Sequence, residues 1–168
     1  MENKILPVQT LPIILNFLKE IGLEVSLTPF DEESFLPGIM IKDGKLITDI
    51  SKLQHPGDLL HEAGHLAVTP AAERMQMNGN ADDDKTQAQS LEMAAICWSY
   101  AALVHLCLPP GTVFHAEGYR GASDWYIENY TSGNFIGLPL LQWMGLCGQQ
   151  QNQSTSPAFP YMQKWLRD

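Results

Sequence analysis

The sequence predicts an α+β domain in which a small, mostly antiparallel sheet packs on two helices. Three observations carry this. Two short β-type runs, Gly38 to Lys42 and Lys45 to Thr48, flank Asp43-Gly44, the strongest short-range hairpin signal. The stretch Gly57 to Ala67 reads as a bounded helix with apolar residues at Leu59, Leu60, Ala63, Leu66 and Ala67. A long apolar stretch from about Lys85 to Leu108 reads as a second helix, stopped by Pro109-Pro110.

The elements follow in order. Residues 11–23 carry Ile13, Ile14, Phe17, Leu18 and Ile21 at helical spacing and end at Gly22, an amphipathic helix with a glycine stop. Leu23 to Thr28 alternates strictly, which suits a half-buried strand. Pro29 to Pro37 is a loop whose acids Asp31, Glu32 and Glu33 read as solvated. After the hairpin, Pro56-Gly57 opens the first bounded helix and Thr69-Pro70 closes it after about three turns. Residues 70–84 read as a mobile polar loop, and 111–134 as a further loop region that could act as a lid. Leu138 to Leu146 should form a short buried helix with Trp143 and Met144 in the core. Gln149 to Ser156 is a polar low-complexity connector. Tyr161 to Leu166 has near-helical apolar spacing and could dock on the domain or on a second subunit, so a homodimer is one expectation. The expected division is therefore a domain over 1–148, then a connector and short C-terminal helix over 149–168.

The 168 residues are enough for one domain with a substantial core. A net charge of −9 without any basic block argues against nucleic acid or an anionic membrane as partner. No run reads as a targeting segment or a membrane span. Cys97, Cys107 and Cys147 are odd in number and lack CxxC spacing, and Cys97 and Cys107 sit in apolar helical sequence. They read as buried thiols in a reducing, cytoplasmic compartment.

Chemistry enters with His61-Glu62-Ala63-Gly64-His65. Four positions apart on a helix, His61 and His65 can aim their rings at one ion. Imidazole suits Zn²⁺, and two histidines leave positions for a third ligand and a water. Glu62, one position round the helix, can take a proton from that water. The third ligand has three candidates. Glu92 is the only acid between Asp84 and Glu117 and is flanked by apolar residues, so it needs a partner. Asp82 to Asp84 and Glu73 are the others. An oxyanion needs a donor, for which His115, Tyr119 and Arg120 in a glycine-flanked loop are available. His105 reads as a core histidine and His55 as a capping or loop residue.

The pattern of His61-Glu62-Ala63-Gly64-His65 with Glu92 on a second helix resembles the gluzincin zinc metallopeptidases. The order of elements over roughly residues 12–109 is similar to the small cytoplasmic zincin domains of the IrrE and ImmA kind. Metzincins would need Gly and His where Val68 and Ala71 stand. The resemblance implies a zincin-like fold, zinc on His61, His65 and Glu92, and Glu62 as general base. It further implies cleavage of a peptide or protein partner. In a peptidase of this kind, the hairpin strand Lys45 to Thr48 could pair with an extended peptide across the cleft. In two respects the chain departs from the pattern. Met93-Ala94-Ala95 follows Glu92 where those domains usually carry an Asn, and no helix-turn-helix segment is evident. The alternative from another class is a non-catalytic domain that keeps the metal helix for structure or partner binding.

Overall fold

The structure, a computed structural model, describes residues 7–79, 85–148 and 157–168. Its element order is α1 (Pro7–Glu20), β1 (Val25–Leu27), β2 (Ile39–Lys42), β3 (Lys45–Thr48), α2 (Asp58–Val68), α3 (Ala71–Arg74), α4 (Lys85–His105), α5 (Ser123–Thr131) and α6 (Leu138–Trp143). The α+β expectation holds. The connector over Gln149 to Ser156 lies outside the described residues.

Helix α1 buries Ile14, Phe17 and Leu18 and stops at Gly22, whose φ of +90° lets Leu23 N–H return to the Leu18 carbonyl. The hairpin forms as expected. Asp43 and Gly44 have φ of 49° and 71°, the mirror-image turn that matches strand twist. The sheet is a correction. Its order is β1-β3-β2, with β1 parallel and β2 antiparallel to β3, so it is mixed. The loop from Thr28 to Gly38 carries the chain to the far edge, and the hairpin folds back with β3 against β1. As the central strand, β3 has both edges paired and cannot accept a peptide.

Sheet and helices share one core. Ile39, Ile41 and Leu46 are buried in the same cluster as Leu59, Leu60, Leu66, Trp98 and Leu103. Helices α2 and α4 make the most extensive pairing in the fold. Gly64 allows it: a Cβ there would lie 2.6 Å from the Ala95 carbonyl oxygen.

Further expectations need correction. The 70–84 region contains α3, and its next residues pair with the hairpin: Gly44 N–H donates to the Met77 carbonyl and Gly79 N–H to that of Ile41. The 111–134 region holds α5, packed through Tyr130 on Tyr100 and Phe114. Helix α6 forms, but Trp143 is exposed, with the Arg167 guanidinium over its ring. His105 is exposed at the edge of Phe17 and Trp165. Cys107 is exposed past the end of α4, whereas Cys97 and Cys147 are buried. Residues 157–168 form no helix; they lie as an irregular strap on the core. Trp98 Nε1 donates to the Trp165 carbonyl, and the Trp165 ring meets Phe17 edge-on. Arg167 N–H donates to the Ala67 carbonyl and its guanidinium to that of Val68, closing the C-terminus of α2. Among the described residues, no helix is long and apolar enough to cross a membrane.

Candidate metal centre

Helix α2 begins where Asp58 N–H donates to the His55 carbonyl and ends at Thr69, whose extended backbone precedes Pro70. Its apolar stripe is buried, and the opposite rows bring His61 and His65 to one side with their rings edge to face. Helix α4 crosses this side. Ala95 touches Gly64, and Glu92, three residues earlier, reaches both histidines.

The three donors converge. His61 Nε2 and His65 Nε2 are 3.2 Å apart, and the Glu92 oxygens lie 3.4 Å and 3.0 Å from them. An ion with ligands at about 2.0–2.1 Å in a tetrahedron spans edges of about 3.3 Å. The His61–His65 separation is that size, and each Glu92 oxygen lies at a similar distance from one of the two histidines, so the three residues can serve as ligands of one ion. Among the described residues, this is the one group of three or more such donors that could share an ion. Glu73 is exposed on α3 and is not part of it; Asp82 to Asp84 lie outside the described residues.

Electrostatics prepare the group. Burial, then the neighbouring His65, pushes His61 down to about 4, so its ring is neutral and its lone pair available at neutral pH. Burial opposes ionisation of Glu92, but the His65 hydrogen bond and the charges of His61, His65 and Arg120 outweigh it and hold Glu92 below its ordinary value. Glu62 is buried beside the pair. Burial first, then the charges of Glu92 and Asp58, raises its pKa against the pull of His65.

Two of the three loop candidates, Tyr119 and His115, lie against α2, at different levels. Tyr119 Oη is 3.3 Å from His61 Nδ1, and the phenol ring stands perpendicular to the imidazole at 5.6 Å. Burial raises the Tyr119 hydroxyl well above its usual range. His115 sits one helical turn back: its Nε2 is 2.8 Å from Asp58 Oδ1. Its ring stacks on His55 at 3.7 Å, and His55 bonds Glu117 at 2.8 Å. Arg120 is exposed, near enough to Glu92 to lower its pKa.

Asp58 is a residue of this region that the sequence motif does not mark. It is buried in the first turn of α2, its pKa raised by burial against the pull of His115. An acid three residues before His61 at the head of an apolar helix was the available signal. The loop that delivers His115 is seated by Gly57, where a Cβ would strike the Thr112 carbonyl at 1.8 Å.

Compared with protein-family models, with curated proteins and with solved structures, the chain matches none.

Proposed function

We propose that the chain is a zincin-like, zinc-dependent peptidase in which His61, His65 and Glu92 hold the metal and Glu62 is the general base. The observation that carries this is the convergence of two histidine nitrogens 3.2 Å apart with the Glu92 carboxylate, one oxygen 3.4 Å from His61 and the other 3.0 Å from His65, next to a buried glutamate. When bound, zinc supplies a Lewis acid that polarises a carbonyl and acidifies water.

The chain's own residues supply the rest. His61 stays neutral and offers Nε2. Glu92 stays ionised and offsets part of the metal's charge. Glu62, with its pKa raised towards working pH, takes a proton from the attacking water and returns it to the leaving amine. Burial keeps the Tyr119 hydroxyl protonated, and its oxygen lies 3.3 Å from His61 Nδ1, on the ring edge away from the other donors. The half-exposed Glu92 leaves this side of the group open to solvent. A side chain filling the remaining coordination position would favour a non-catalytic metal domain. His115, the candidate for that, is engaged by Asp58 instead. Three free thiols support a reducing, cytoplasmic setting for this activity.

The test uses metal content and peptide hydrolysis on purified wild type, Glu92→Ala and Glu62→Gln. Wild type should carry about one zinc per chain, as one such site implies. Glu92→Ala should lose or much weaken it. Glu62→Gln should keep zinc and lose the base's about 10²- to 10⁴-fold contribution to rate. A fully active Glu62→Gln would end the mechanism, and a metal-free wild type would end the metal reading.

A further inference from the structure

We infer that Tyr119 is a positioning residue: its hydroxyl accepts the Nδ1 proton of His61 and so fixes the tautomer that turns the Nε2 lone pair to the metal group. The inference rests on the metal reading above.

A neutral imidazole carries its proton on one nitrogen and a lone pair on the other. His61 Nε2 faces His65 Nε2 and Glu92, the two groups that would share an ion with it. For Nε2 to ligate, Nδ1 must carry the hydrogen and needs an acceptor, because the second partner of a ligand histidine sets its tautomer and ring angle. The Tyr119 oxygen is that partner, at 3.3 Å, and a phenol can accept from Nδ1 while donating elsewhere. The same bond through the other tautomer would put a hydrogen on Nε2, into the space between His61, His65 and Glu92.

The backbone shows that this placement is constructed. Tyr119, Arg120 and Gly121 have φ of 53°, 53° and 83°, three consecutive left-handed residues, two of them with side chains. Side-chain residues rarely adopt this conformation, and it persists only where surroundings enforce it. Here Gly121 N–H donates to Gly118 and Ala122 N–H to Tyr119, closing a tight turn. The Tyr119 ring is clamped by Phe114 at 5.2 Å and Tyr126 at 5.4 Å. The strained turn sends the phenol onto one nitrogen of one histidine.

The test compares wild type with Tyr119→Phe, which keeps the ring and its clamps and removes the hydroxyl. Nitrogen-15 NMR on the metal-free chains reads the His61 tautomer, and chelator competition reads zinc affinity. The expected results are an Nδ1–H tautomer in wild type, a mixed or reversed one in the variant, and zinc binding weakened about 10- to 100-fold. Saturating zinc should then restore hydrolysis by the variant. An unchanged tautomer with unchanged affinity overturns the inference. So does a loss of turnover that persists at saturating zinc with the tautomer intact, which would make Tyr119 an oxyanion donor instead. If neither chain binds zinc, the metal reading falls, and the tautomer measurement alone decides whether Tyr119 sets His61.

Discussion

Gly64→Ala tests whether one close helix crossing builds the site. The added methyl would sit 2.6 Å from the Ala95 carbonyl oxygen, 3.1 Å from Ala95 Cα and 3.2 Å from its carbonyl carbon. These are backbone atoms of α4, so no side chain can swing aside. Restoring an ordinary carbon–oxygen contact of about 3.3 Å requires α2 and α4 to part by about 0.7 Å. Overpacking of that kind costs about 1–3 kcal/mol, and the better helix propensity of Ala returns about 1. The expected net loss of stability is therefore about 0–2 kcal/mol, small enough for the variant to fold. The site should suffer more. Glu92 rides on α4 one turn from the crossing, so its 3.0 and 3.4 Å distances to the histidines open as the helices part. Displaced by about 0.7 Å, the donors overshoot the about 3.3 Å edge that a tetrahedral ion spans. Urea unfolding and zinc competition on the same samples measure both effects. Zinc affinity should fall while the fold survives. Adding Ala95→Gly should not repair it, because the clash is with backbone. A Gly64→Ala chain that is more stable with wild-type zinc affinity, or one rescued by Ala95→Gly, would refute the reasoning.

Three further outcomes are expected. His61 is held near 4 in the folded chain against about 6.5 when unfolded, so the unfolded state binds more protons between those values and stability falls as pH drops from 6.5 towards 4. Metal-free wild type should lose that component over the window and His61→Gln should lack it; superimposable urea midpoints at each pH would contradict this. Cys107 should react with a thiol reagent in the native chain while buried Cys97 and Cys147, the latter pushed up to about 11, should react only in denaturant; mass spectrometry counts the adducts, and native labelling of Cys97 would contradict the packing. Trp165→Ala removes the ring set against Phe17 and Trp98 and should destabilise by about 2–4 kcal/mol, below the fully buried range because Trp165 is partly exposed; a loss under about 0.5 kcal/mol, the range of inconsequential surface changes, would mean the strap contributes little.

How much of this was legible depended on whether the signal was local. The Asp43-Gly44 turn, the extent of α2 and the stop at Gly22 are written in a few adjacent residues, and all three formed. Glu92 was legible because a lone acid in an apolar helix must find a partner, and it found two. Strand order was not, since nothing in β1 or β3 says which edge the Thr28 to Gly38 loop will reach. Helix α5 reads as loop in the sequence because polar residues dominate Ser123–Thr131; only Tyr126, Ile127 and Tyr130 show the period. Hydrophobicity and neighbourhood point Trp143 and His105 inward, but each lies at the rim against one partner surface. The turn at Tyr119 carries flanking glycines as its only local hint, and its left-handed run became visible only in three dimensions.

The strap over residues 157–168 also bears on the order in which the molecule assembles. Of the last α2 carbonyls, those of Ala67 and Val68 are satisfied by Arg167, ninety-nine positions beyond Val68, and Arg74 closes on the Arg167 carbonyl ninety-three positions away. Contacts at such separation carry a large loop-closure cost and form late. A nascent chain released only as far as α6 would thus hold both histidines on a helix whose far end is still open to water. If the proposed metal reading is right, an ion could bind before the molecule reaches its final rigid form, and the strap's closure would then reinforce that binding.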